Sequence, residues 1–162
     1  MCECEDEPMT RSGKRYRRNL PHINSADRPL YITFCTMNGW ELPESVRQTV
    51  LEHCLAEHGM KYWLHCAVVM PDHVHLILSA GRDEEGRAIE LAEMMNGIKG
   101  ASAHSVNQAL GRTGHVWQDE SFDHVLRSSE TVREKKDYVK ENPVRKGLVK
   151  RAAQWPWYWE DK

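Results

Sequence analysis

Residues 67–78 read A-V-V-M-P-D-H-V-H-L-I-L, and this stretch narrows the possible folds more than any other. Its branched and aliphatic side chains fit a pleated, half-buried surface. Pro71-Asp72 interrupts the run with a pair suited to a bend. The pattern predicts two strands, 61–70 and 73–79, lying antiparallel. Along a strand, side chains two residues apart leave from the same face. His73 and His75 would then present two imidazoles side by side, with Val74 turned the other way into packing. Such a pair is a half-site for a divalent metal or the polar face of a half-exposed strand. The spacing alone is compatible with both.

A chain of 162 residues can bury a real core, and the expected division is a tail over 1–13 and one domain over 14–162. Formal charge is only −2, but it is unevenly spread. An acidic M-C-E-C-E-D-E-P opens the chain and a basic R-S-G-K-R-Y-R-R follows, while residues 133–151 hold eight Lys/Arg against three Asp/Glu. A near-neutral protein can carry a basic face for a polyanion, although a charge run by itself also describes a solvated helix. The five cysteines form no C-x-x-C pair. Cys35, Cys54 and Cys66 lie in apolar patterns as small hydrophobes, and Cys2 and Cys4 fall in a terminus poorly suited to hold a metal. That usage fits a reducing cytosol. With no apolar run approaching ~18 residues and no leader pattern, a soluble cytoplasmic protein without membrane contact is expected.

Taken in order, 29–37 alternates as a first strand, ending at the turn signal Asn38-Gly39. Val46, Val50, Leu51, Cys54 and Leu55 mark a helix over 43–58, closed by Gly59. The two strands around the histidines follow. A longer helix is expected over 87–110, then short strands at 115–118 and 122–127 around an acidic bend. Ser128 or Ser129 caps a last helix that runs to about Asn142, before Pro143. The tail, with Q-W-P-W-Y-W, reads as a loop whose tryptophans form a packing lid rather than a base-stacking platform. The order β-α-β-β-α-β-α predicts an α+β fold: a ferredoxin-like antiparallel sheet with helices packed on one side.

The last helix adds chemistry to the histidines. Tyr138 and Asn142 are i, i+4 and share a face. Tyr138 lies among Arg133, Lys135, Lys136 and Lys140, unlike a core tyrosine, and a tyrosine in a phosphate-attracting setting is suited to attack a phosphodiester. Asn142 offers a carbonyl oxygen to Mg²⁺ or Mn²⁺.

At this point M-P-D-H-V-H resembles the histidine–hydrophobic–histidine motif of the single-tyrosine HUH endonucleases. The block W-Q-D-E-S-F-D-H-V-L-R-S-S-E-T-V-R-E-K-K-D-Y-V-K-E-N-P-V-R-K-G-L-V is similar to that family's C-terminal signature. R-Y-R-R-N-L-P-H and Q-W-P-W are similar to its REP-associated tyrosine transposase branch, and the likeness runs from about residue 14 to 158. The resemblance implies an HUH domain that nicks and rejoins single-stranded DNA carrying a hairpin of the repetitive extragenic palindrome kind. It implies His73, His75 and Asn142 as ligands of Mg²⁺ or Mn²⁺, and Tyr138 as the nucleophile that forms a 5′-phosphotyrosine link. Asp72 and His124 match recurrent positions and are candidates to support the metal or touch DNA. Arg15, Arg17, Arg18, Arg127, Arg133, Lys135, Lys136, Lys140, Arg145 and Lys146 are the candidate DNA contacts. Asp119 and Glu120 depart from the pattern, with negative charge where relatives often carry a base. A monomer near the nucleoid is expected, a dimer being the alternative. The rival readings are a catalytically silent DNA-binding regulator, a larger replication initiator or relaxase, and a zinc hydrolase for which no third ligand is evident.

Overall fold

A computed structural model describes residues 28–127 and 129–162. The five strands are β1 (Leu30–Thr36), β2 (Tyr62–Val69), β3 (His73–Ala80), β4 (Trp117–Val125) and β5 (Tyr158–Glu160). The helices are α1 (Glu44–Leu55), α2 (Leu91–Leu110), α3 (Ser129–Lys140) and a single turn, α4 (Asn142–Arg145). The strands form one sheet in the order β4-β1-β3-β2-β5, every pair antiparallel. The first four strands have the ferredoxin-like order expected of the β-α-β-β-α-β run.

Alternation along β1 and β3 divides the sheet into two faces. Ile32, Phe34, Val74, Leu76 and Leu78 face one way and pack with Val46, Val50 and Cys54 of α1 and Met94, Ile98 and Val106 of α2. Tyr31, Cys66, Val68 and Ile77 face the other way and receive Val139 of α3 and Trp155 of the tail. Helices thus lie on both faces, not one. The β-α-β-β-α-β run sets α1 and α2 on one face, and nothing in local spacing says which face receives the last helix.

The remaining differences are local. The long helix begins at Leu91 rather than 87, because Arg82 and Ala88 pair as an isolated bridge and hold the preceding residues in a loop. β4 is one strand, not two pieces around a bend: its acidic residues sit on an exposed edge where alternation with apolar residues is not required. α3 stops at Lys140, and Asn142 opens the next turn with Pro143 in its first positions, where a missing N–H costs nothing. The tail is more than a lid, since β5 adds to the edge of β2 through Cys66, Ala67 and Val68. Its tryptophans do pack. Trp155 Nε1 donates to Val69 O at 3.1 Å, and the Arg47 guanidinium lies 4.8 Å from the Trp157 ring and 5.7 Å from that of Trp155.

Cys54 and Cys66 are buried thiols, and burial pushes each up to about 12. They act as apolar filling. Cys2, Cys4, the expected tail over 1–13 and the basic lead-in lie outside the described residues, as does Ser128. Among the described residues no helix is long and apolar enough to cross a membrane.

One glycine is fixed by close backbone approach. A Cβ on Gly81 would stand 2.6 Å from Lys61 O, at the point where β3 leaves the sheet beside β2. Gly81 N also donates to that oxygen at 2.8 Å. Gly81→Ala therefore has to part the two backbones, and a loss of about 1–3 kcal/mol is expected. A lower urea midpoint at unchanged slope would register it; an unchanged midpoint would mean the segment relaxes freely.

Candidate active site

β1, β3 and the α3–α4 junction bring the candidate residues together on the face away from α1 and α2. The register places Cys35 opposite His73, Thr33 opposite His75 and Tyr31 opposite Ile77. Directly opposed residues of an antiparallel pair share a face. The imidazoles therefore rise between β1 side chains and the helix above. Both are buried, at 5% exposure for His73 and 8% for His75.

Each ring is held by its Nδ1. Asp72 Oδ1 lies 2.6 Å from His73 Nδ1, so the ring donates there to a carboxylate, whose pKa is held low chiefly by this hydrogen bond. Thr33 Oγ1 and Tyr31 Oη lie 2.7 Å and 2.9 Å from His75 Nδ1. Burial pushes the pKa of His75 well below its ordinary value, and His73, Arg145, Lys135 and Lys146 add to the effect. With the Nδ1 atoms engaged, the two Nε2 atoms face each other at 3.1 Å.

That facing pair tests whether a metal fits. If His75 Nδ1 accepts from a hydroxyl, His75 Nε2–H donates to His73 Nε2; if His75 Nδ1 carries the proton, both Nε2 lone pairs are free for a cation. Nitrogens about 2.1 Å from one octahedral ion and at right angles to each other are about 3.0 Å apart, close to the separation found. Asn142, 4% exposed, brings its side-chain amide to 3.4 Å from His73 Nε2. Turning that amide over offers Oδ1 in place of Nδ2. Two imidazoles and an amide oxygen suit a divalent first-row ion or magnesium, and support from Asp72, Thr33 and Tyr31 is what such ligands require. Among the described residues no three His, Cys, Asp or Glu side chains gather into a metal-binding group, so the amide is part of the candidate set.

Tyr138 enters from α3. Its ring is touched by two cations, the Arg145 guanidinium at 3.7 Å and the Lys135 ammonium at 4.8 Å from the centroid. Arg145 also donates to Tyr138 O at 2.7 Å, tying α4 back to α3. The same Lys135 ammonium lies 4.4 Å from the ring of Tyr31, the residue bonded to His75. One lysine thus links the tyrosine to the histidine pair. The helical spacing of Tyr138 and Asn142 survives the break between α3 and α4 because Glu141 N still bonds Asp137 O.

The predicted basic residues divide. Lys135, Arg145 and Lys146 act electrostatically on His75 and stand at the site. Lys140 pairs with Glu160 at 2.8 Å, and Lys136 reaches Asp161 O at 3.4 Å, so both face β5. Arg127 and Arg133 are exposed, and His124 is exposed on β4 opposite Tyr31. Arg15, Arg17 and Arg18 lie outside the described residues. Asp72 is placed as a support for His73. Sequence reading missed Tyr31 and Thr33. Both are alternate residues of a strand already recognised, and only the β1–β3 register reveals that they meet His75.

The fold and site together describe a ferredoxin-like sheet carrying paired histidines beside a helix-borne tyrosine. The family model described as transposase IS200-like matches residues 40–142, more than half of the chain, and the chain belongs to that family. All of His73, His75, Tyr138 and Asn142 fall within the matched segment. The chain is 27% identical over 109 residues to the REP-associated tyrosine transposase of Escherichia coli, covering 66% of this chain and 61% of the relative. It is 26% identical over 94 residues to a Haemophilus influenzae protein given the same name provisionally, covering 55% and 53%. The matches thus span somewhat more than half the length of these curated relatives. Among solved structures, that of a REP-associated tyrosine transposase bound to a REP hairpin shares the fold, with a TM-score of 0.65, 21% identity, and coverage of 90% of this chain and 82% of that one.

Proposed function

We propose that this chain is a metal-dependent enzyme that nicks and rejoins single-stranded DNA, with residues 14–162 as its single catalytic domain. The observation that carries the reading is the pair of Nε2 atoms 3.1 Å apart, with the Asn142 amide beside them and Tyr138 clasped by cations. His73, His75 and Asn142 would hold Mg²⁺ or Mn²⁺. When bound, that ion supplies Lewis-acid polarisation of a non-bridging phosphate oxygen.

The chain's own residues do the rest. Lys135, Arg145 and Lys146 draw the scissile phosphate to the buried site and offset its charge. Tyr138 Oη attacks phosphorus in line, forming a phosphotyrosine bond to the 5′ side. The bond to the 3′ oxygen breaks, and that oxygen leaves as a hydroxyl carrying the proton the phenol gives up. One phosphodiester replaces another of similar energy, so no ATP is needed and the step reverses to join a different end. Asp72 and Thr33 fix the imidazole orientations throughout. Family membership, the names of the curated relatives and the hairpin bound by the solved neighbour support a hairpin-bearing, repeat-derived strand as substrate.

A denaturing gel tests the proposal. Labelled single-stranded hairpin DNA with both flanks is incubated with the protein in Mg²⁺, Mn²⁺ or EDTA. A covalent protein–DNA band is expected with metal and absent with EDTA. Tight hairpin binding without an adduct under any metal would instead make the chain a regulator.

A further inference from the structure

The face that holds the site also carries an exposed aromatic that the chemistry above does not use. Among the described residues β4 pairs with β1 alone, and its register sets Phe122 opposite Thr33 and His124 opposite Tyr31. Thr33 and Tyr31 both turn their side chains to His75, so Phe122 and His124 stand on that same face. One row across the sheet runs Phe122, Thr33, His75, placing Phe122 two strands, or about 10 Å, from the histidine. α3 does not bury Phe122. It packs through Val139 and Val132 on the cluster of Cys66, Val68 and Tyr31, its Lys135 ammonium reaches the Tyr31 ring at 4.4 Å, and Phe122 beyond is left 56% exposed.

We infer that Phe122, with His124 beside it, is a stacking platform for an unpaired nucleobase adjoining the phosphate held at His73 and His75. The inference rests on the proposed function above and assigns the edge of the sheet to the same strand of DNA. A phenyl ring on a strand is held rigidly, and stacking asks only for a base with a free π-face. The charges of β4 favour this mode over a phosphate contact. Asp119, Glu120 and Asp123 make the strand acidic, so an ionic hold on the backbone is poor there, whereas stacking does not depend on charge. Asp123, opposite Ile32, points to the other face. The platform would therefore take bases, while Lys135, Arg145 and Lys146 take phosphate.

The test measures binding of the full chain to labelled single-stranded hairpin DNA by fluorescence anisotropy, at two salt concentrations. Phe122→Ala is expected to weaken binding by about 5- to 150-fold, by the same factor at both salts. Phe122→Trp is expected to restore it and Phe122→Leu is not. An abasic nucleotide moved along the flanks should reproduce the loss at one position in the parent and cost nothing further in Phe122→Ala. Equal binding by parent and Phe122→Ala, or full rescue by leucine, overturns the inference. So does a change of oligomeric state in Phe122→Ala without DNA, which would make this face a contact between copies. If the parent forms no adduct and binds no single strand, the functional reading fails first. If it does both and Phe122→Ala matches it, only the platform fails.

Discussion

Tyr138→Phe is expected to abolish the covalent protein–DNA adduct, with a loss on the order of 10⁴-fold or more in nicking. The substitution removes a single oxygen. The ring stays between Arg145 and Lys135, whose contacts are to the aromatic face, and Arg145 keeps its bond to the residue 138 carbonyl. Folding and single-strand binding are expected to hold, with stability lowered by no more than about 1.5 kcal/mol, the net worth of one hydrogen bond from the hydroxyl. The informative comparison is binding by anisotropy beside adduct on a denaturing gel, from the same preparation. Loss of both would point to a binding role for the hydroxyl. An adduct that persists would move the nucleophile to another residue.

His73→Ala should remove metal binding and with it nicking. The expected result is seen without DNA, by titrating Mn²⁺ and following the free ion by electron paramagnetic resonance. The parent binds one equivalent, and His73→Ala shows no saturable site over the same range. Asp72→Asn is the graded control. It weakens the hold on His73 Nδ1 without removing a ligand, and about 10- to 100-fold weaker binding is expected. Mn²⁺ binding that is equal in all three proteins would place the metal elsewhere. The facing Nε2 atoms would then share a proton.

Much of this is legible in the sequence, and the limits follow a physical pattern. The strands flanking Pro71-Asp72 were readable because alternation and burial agree there, and a one-residue slip would turn both histidines to the other face. α1 was readable from Val46, Val50, Leu51 and Cys54. β4 read as two pieces because an edge strand next to solvent tolerates Asp119, Glu120 and Asp123, which weakens the alternating signal. β5 reads as loop because the three residues Tyr158–Glu160 are too few to show a period; their strand character comes from pairing with the edge of β2. At the site, the motif residues could be named one by one. Thr33, Tyr31 and Phe122 could not, because their role depends on which strands are neighbours. That adjacency is a property of topology and leaves no mark in local spacing.

The mooring of α3 has a consequence in time. The helix that presents Tyr138 lies on β2 with Val139 against Val68 and Cys66, and Trp155 closes over the same cluster while Glu160 holds Lys140. Two of the residues that hold this helix, Trp155 and Glu160, are therefore translated after it. A chain halted before residue 155 has made both histidines and the tyrosine but lacks Trp155, which packs in the same cluster as Val139. Under the proposed function, competence to cut single-stranded DNA would follow the making of residues 155–160 rather than of the tyrosine itself.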